Sequence, residues 1–285
     1  MKILACDTSN RACSSALWTD GGLLDEKFIN NGLTHSQTFM PLVHDLMAEN
    51  NMKYDDLDAL ACTVGPGSFT GIRIGVSAVK TMAMAAEKPA VPVSSLRAMA
   101  FPLRAEKALV VPMIDCRNHR AWAGGFYQEE EVVPEMAEDI DEILSRCAAW
   151  RDANLPGTKI ILIGNGTKVV STAGATENDA AEGAPALEGF EIREGFEEIH
   201  SEFVAAIAEK ILLDVKNAAG EKTAAAGTDE ATGEKASGSW AELFTAEALM
   251  PVYRAKTQAE RMAAEQGKEV EQVPIRYYST QDDEK

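Results

Sequence analysis

One order of elements is written twice along this chain, and any fold must house both copies. Lys2–Asp7 is an apolar run ending in an aspartate. Residues 14–19 and 23–29 continue in extended fashion around the turn signal Asp20-Gly21-Gly22, which predicts an antiparallel meander. A helix follows at 35–49, where Phe39, Leu42, Val43, Leu46 and Met47 recur at helical spacing behind a Thr34/Gln37 capping-box pattern. Residues 57–64 read as a buried strand and 71–86 as a second helix. The second half repeats this: strands at 108–115, 121–127 and 131–135, a helix at 139–150, a strand at 159–163 and a helix at 201–215. Its first strand also ends in an aspartate, Asp115, and its fourth strand also runs into a glycine turn, Gly164-Asn165-Gly166. The reading is an α/β chain of two lobes, each a βββαβα unit. The N-terminal lobe is expected at 1–105 and the C-terminal lobe at 106–253, with a peripheral helix and tail at 254–285.

The glycine turn of the first half is longer, Gly65-Pro66-Gly67-Ser68-Phe69-Thr70-Gly71-Ile72-Arg73-Ile74-Gly75. Freed backbone N–H groups at a helix N-terminus suit a phosphate. The spacing excludes a P-loop, because Gly67 and Gly71 enclose three residues and Lys80-Thr81 lies well inside the helix. The dinucleotide fingerprint also misses by one residue, since Gly65, Gly67 and Gly71 read G-x-G-x-x-x-G. Gly71, Gly75 and Ala78 instead form a stripe of small side chains beside the apolar Ile72, Val76 and Val79. Each interior glycine costs a helix roughly 0.5–1 kcal/mol. A closely approaching helix is expected to offset that, either a partner's or one of the same domain.

The net charge of −18 is one-sided. Residues 1–128 hold 12 basic and 12 acidic side chains, so residues 129–285 hold 15 basic and 33 acidic ones. Such a surface repels nucleic acid unless a basic partner supplies the contact. The five cysteines are scattered without a C-x-x-C, as reduced core thiols would be, and Asp7 arrives too soon for a signal sequence. A cytoplasmic chain without membrane spans is expected. Residues 171–189 and 216–239 are poor in residues that build a core and read as flexible surface insertions.

A duplicated βββαβα unit whose first strand ends in aspartate resembles the RNase H-like layout of the actin, Hsp70 and sugar-kinase superfamily. Within it, Ile3-Leu4-Ala5-Cys6-Asp7-Thr8-Ser9, His35-Ser36-Gln37, the Gly65–Gly75 string and Pro251-Val252-Tyr253-Arg254 are similar to the TsaB (YeaZ) family of bacterial tRNA threonylcarbamoyladenosine biosynthesis. The similarity covers about residues 1–130 closely and the rest in outline, and Val252-Tyr253-Arg254 stands where such proteins usually show Tyr-Leu-Arg. It implies a non-catalytic activating subunit for TsaD, a transferase of the same fold that carries threonylcarbamoyl to N6 of a tRNA adenosine. TsaE would be the third member, tRNA would be met only through the complex, and the same helices would serve a homodimer. No cofactor of the chain's own is implied, with ATP or ADP placed at the subunit interface. The implied partner-binding residues are His35, Phe39, Leu42, Val43, Leu46, Gly71, Ile72, Gly75, Val76, Ala78, Val79 and Met82. The implied vestigial nucleotide site is Asp7, Thr8, Gly65, Gly67, Ser68 and Asp115.

Chemistry of the chain's own finds little support. His35, His44, His119 and His200 include no pair at metal-ligand spacing, and neither H-E-x-x-H nor a G-x-S-x-G elbow occurs. No catalytic residue and no metal ligand is therefore named. The rival readings are a stand-alone ATP-dependent kinase or transferase of the same fold, and a self-associating structural dimer.

Overall fold

A computed structural model describes residues 1–173, 189–225 and 244–252. The first half builds β1 (Lys2–Asp7), β2 (Cys13–Thr19), β3 (Gly22–Ile29), α1 (His35–Glu49), β4 (Ala59–Gly65), α2 (Phe69–Ala85), β5 (Ala90–Ser94) and α3 (Ser95–Ala100). The second builds β6 (Leu109–Asp115), β7 (Arg120–Tyr127), β8 (Glu130–Asp139), α4 (Ile140–Asn154), β9 (Ile160–Ile163), α5 (Thr167–Ala173), β10 (Phe190–Ile192) and α6 (Ser201–Ala225). The duplication expected from sequence is present, but the repeated unit has eight elements, βββαβαβα, not six. Helix α6 is thus the counterpart of α3, whereas the sequence reading had matched it with α2. Short α5, whose last three residues fall in the stretch 171–189 read as an insertion, occupies the place of α2, and residues 174–188 of that stretch lie outside the described residues. The other expected insertion, at 216–239, begins as helix, since α6 runs on to Ala225. Its remainder, and the tail at 254–285, lie outside the described residues.

The two sheets have the same layout, β3-β2-β1-β4-β5 and β10-β9-β6-β7-β8. In each, the first strand is central, paired antiparallel with the second and parallel with the fourth. A strand in that position has both faces covered, which is why β1 reads as a continuous apolar run. Its alternate residues serve different cores: Leu4 and Cys6 face α1 and α2, while Ile3 and Ala5 face the layer holding α3 and α6. Strand β5 carries Pro92, which an edge strand tolerates because one side of its backbone makes no ladder.

The lobes exchange helices. Helix α3, from the first half, packs on β6 and β7, and α6, from the second, packs on β1, β2, β4 and β5. Small residues allow this: Ala5, Ala59 and Ala61 meet Ala205 and Ala208 in one buried cluster. Residues 244–252 also return to the first sheet, where the Ala90 N–H donates to the Phe244 carbonyl (2.8 Å) and the Val252 N–H to the Val64 carbonyl (2.7 Å). Among the described residues no helix is long and apolar enough to cross a membrane. Cys6, Cys13, Cys62 and Cys147 are buried free thiols and Cys116 is half-buried, as the scattered spacing predicted.

Candidate functional site

The end of β1 and the start of α2 are pressed together. The Ser68 N–H donates to the Ser9 carbonyl (2.7 Å), and the Thr8 hydroxyl donates to the Gly71 carbonyl (2.8 Å). A Cβ on Gly71 would overlap the Thr8 carbonyl oxygen, and one on Gly75 would overlap the Thr8 hydroxyl. The close neighbour that the glycine stripe requires is therefore strand β1 of the same domain. The placement of Gly71 and Gly75 on an outward face is corrected accordingly. Ser68 caps α2, its hydroxyl oxygen accepting from the Gly71 N–H (3.2 Å), and Gly65 and Gly67 hold positive φ in the turn before it.

The apolar part of the expected partner set also points inward. Phe39, Leu42, Val43, Leu46, Ile72, Val76, Val79 and Met82 are buried in the cluster that joins α1 and α2 to the sheet. Regular apolar periodicity marks the face a helix turns toward its own core, and a sheet was there to receive it. Ala78 is partly buried against the same cluster. His35 is half-buried, and its Nε2 donates to the Asn10 carbonyl (2.8 Å), since a carbonyl oxygen can only accept. Thr34 occupies the N-cap of α1, but its hydroxyl makes no capping bond and meets the Ser36 hydroxyl instead (3.2 Å). The outer surface of this layer carries Leu33, Met40, Phe69 and Met84, between 44% and 57% exposed, with the Arg73 guanidinium stacked over the Phe69 ring.

The two strand-end aspartates, matched in sequence, sit in opposite environments. Asp7 is fully buried, and its Oδ1 accepts from the Ser9 N–H (3.2 Å), the Ser9 hydroxyl (2.6 Å) and the Thr63 hydroxyl (2.6 Å). Burial pushes its carboxyl up to about 6 against the pull of those hydrogen bonds. Asp115 is exposed. It accepts from the Arg117 N–H (2.7 Å), and its own N–H donates to Asn165 Oδ1 (2.8 Å). The cluster at the β1 end thus leaves no room for a phosphate between Thr8 and α2. A metal-bound nucleotide held at both strand ends does not fit these residues.

An open cleft of about 480 Å³ does lie between the lobes, and Ser9, His35, Gly67, Ser68 and Asp115 from the motifs read in the sequence border it. Sequence reasoning assigned none of its other borders to a site: Arg117 and Trp122 were missed, while Arg11 and Asn165 carried too weak a pattern. The only signals were the Gly164-Asn165-Gly166 turn and an arginine after the Thr8-Ser9 pair. Elsewhere, His119 Nε2 lies 3.9 Å from Asp139 Oδ1 and 3.7 Å from Asp141 Oδ1. All three are solvent-facing, and Asp139 caps α4 by accepting from the Asp141 N–H (3.1 Å).

With this geometry in view, the comparisons are specific. The model of the family described as TsaD, tRNA N6-adenosine threonylcarbamoyltransferase, matches residues 30–261. The Haemophilus influenzae protein named tRNA threonylcarbamoyladenosine biosynthesis protein TsaB is 35% identical over 164 residues, 51% of this chain and 67% of that one. The chain belongs to the TsaB/YeaZ family. TsaB proteins of Escherichia coli and Bacillus subtilis are 43% and 36% identical, over 35% and 51% of this chain, and the matches span 43% and 63% of their own lengths. A Novosphingobium aromaticivorans tRNA N6-adenosine threonylcarbamoyltransferase is 37% identical over 28% of this chain and 23% of its own. The structure of YeaZ from Pseudomonas aeruginosa shares the fold at a TM-score of 0.58 and 23% identity, covering 88% of this chain and 99% of that one.

Proposed function

We propose that this TsaB-family chain is a non-catalytic, activating subunit that binds a TsaD-type threonylcarbamoyl transferase through the outer surface of α1 and α2. The observation that carries the reading is the half-exposed apolar set Leu33, Met40, Phe69 and Met84 on that layer. These side chains replace the buried ones first assigned to the contact. Two helices of 15 and 17 residues can supply the roughly 800 Å² per partner of a standard interface. The absence of chemistry in this reading fits the β1 end, where Asp7 is sealed beneath Ser9 and Thr63. A nucleotide at the subunit interface would then depend on the partner's residues, and TsaE and tRNA would join through that partner.

The test is co-purification with the TsaD of the same organism, followed by tRNA modification assays with and without this chain. Met40→Glu, at an exposed position, is expected to weaken complex formation at least tenfold while leaving the thermal transition unchanged. Full binding by this variant, or full modification without the chain, would overturn the reading. A kinase-like rival predicts ATP turnover by the purified chain alone.

A further inference from the structure

The dipeptide Asn-Gly occurs at Asn31-Gly32 and again at Asn165-Gly166, and the fold treats the two in opposite ways. Glycine after asparagine matters chemically. With no side chain in the way, its backbone nitrogen can reach the asparagine side-chain carbonyl carbon and attack it. Asn31 and Gly32 are both exposed in the turn between β3 and α1, and a Cβ on Gly32 would meet no atom within 4 Å. Gly32 takes φ of 76°, and among the described residues its N–H makes no hydrogen bond. Its nitrogen is therefore free to move toward Asn31.

The electrophile at this turn is polarised as well. The Leu33 N–H donates to Asn31 Oδ1 (3.0 Å), the oxygen on which negative charge grows as the side-chain carbonyl is attacked. Asn165 has a matching donor, since the Asp115 N–H reaches its Oδ1 (2.8 Å), but there the nucleophile is tied down. The Gly166 N–H is spent on the Met113 carbonyl (3.0 Å). Gly166 is also buried, and a Cβ on it would lie 2.9 Å from Met113 Cβ and 3.0 Å from the Met113 carbonyl carbon. A nitrogen held in this way reaches its neighbour's side chain only after local opening of the turn between β9 and α5. Both asparagines thus have a polarised carbonyl, and the freedom of the glycine nitrogen separates them.

We propose that Asn31 is a site of spontaneous deamidation through a succinimide in the native protein, and that the fold protects Asn165 from the same reaction. The Gly32 nitrogen gives its proton to solvent and forms a bond to Asn31 Cγ. The Cγ–Nδ2 bond then breaks, and Nδ2 takes up a proton from water and leaves as ammonia. A water molecule opens the imide ring at either carbonyl carbon, giving aspartate or isoaspartate. The net change is amide plus water to carboxylate plus ammonium, with nothing oxidised or reduced. The new carboxylate stands two residues before Leu33, on the surface assigned above to a TsaD-type partner. The chemistry does not rest on that assignment.

The test is incubation of the whole chain at mildly alkaline pH in heavy-oxygen water, followed by tryptic digestion in ordinary water and peptide mass spectrometry. Asn31 falls in the peptide 28–53 and Asn165 in 160–168. Asn31 is expected to lose its amide and gain heavy oxygen, as separable aspartate and isoaspartate forms, while Asn30 in the same peptide stays intact. Asn165 should react at least about tenfold more slowly, because its nucleophile must first give up a hydrogen bond and a packed position. In guanidinium, where the fold is lost, the two sites should react at similar rates. Asn31→Gln, whose longer side chain closes the ring less readily, should abolish the product in 28–53 and keep the wild-type melting temperature, since position 31 is exposed. Four outcomes would each overturn the proposal: an intact Asn31 in the native protein, equal native rates at Asn31 and Asn165, a rate difference that survives guanidinium, or aspartate formed without isoaspartate. No partner protein enters the measurement, so its outcome stands apart from that of the complex with TsaD.

Discussion

Replacing Gly75 by Ala tests which neighbour the glycine stripe serves. The new Cβ would overlap the Thr8 hydroxyl and lie 3.4 Å from Thr8 Cβ and 3.5 Å from its Cγ2. Thr8 can turn away only by giving up its bond to the Gly71 carbonyl, worth about 1 kcal/mol, or α2 must back off β1. Overpacking of this kind costs about 1–3 kcal/mol, and alanine returns roughly 0.5–1 kcal/mol in helix propensity. A net loss of about 1–2 kcal/mol follows, read as a lower urea midpoint at unchanged slope and a fall of several degrees in melting temperature. Gly71→Ala should be worse, because its Cβ meets the Thr8 backbone carbonyl, which has no rotamer to escape into. Thr8→Ala in the Gly75→Ala background should recover part of the loss, with a coupling energy of about 1 kcal/mol. If Gly75→Ala were as stable as the wild type and lost only partner binding, the stripe would face a partner and the packing argument would fail.

The remaining predictions use the same reasoning. Because burial raises the Asp7 carboxyl to about 6, the folded state holds its proton more tightly than the unfolded chain. The stabilisation is complete below pH ~4 and lost as pH rises through about 6, on the order of 3 kcal/mol at most. Denaturant unfolding of Asp7→Asn should lack this decline between pH 4 and 6.5, and an identical pH slope in both proteins would refute the assignment. Burial also pushes the Cys6, Cys13 and Cys147 thiols up to about 12 and Cys62 well above its ordinary value. Thiol titration of the native protein should therefore modify Cys116 alone among the five, and rapid reaction of a second thiol would contradict the core placement. Glu26 accepts from the Glu202 N–H (3.1 Å) at the start of α6 while its other oxygen meets His200 Nδ1 (2.7 Å). Glu26→Ala should cost about 1 kcal/mol as a lost helix cap, and a midpoint unchanged within error would show that water replaces it.

The parts of this protein legible in its sequence were those that local rules dictate. Period-2 and period-3.6 patterns placed β1, α1, β4 and α2 within two residues of their bounds, and the aspartate-ended strands revealed the duplication. The unit was read two elements short because Ala90–Ser94, Phe190–Ile192 and Thr167–Ala173 are brief or interrupted by proline. Such segments become strands or helices only when a neighbouring sheet edge or core is there to hold them.

Amphipathic helices announce that one face will be buried, and the sequence alone determined which residues of α1 and α2 form that face. Only the tertiary structure decided what covers it, and the answer was the chain's own sheet, with Gly71 and Gly75 pressed against Thr8. The same holds for Asp7 and Asp115, identical in sequence role and opposite in environment. Likewise Arg11 and Arg117, 106 positions apart in the sequence, border one cleft only in the folded chain. Burial, ionisation and convergence of distant charges depend on packing in three dimensions, and no local pattern encodes them.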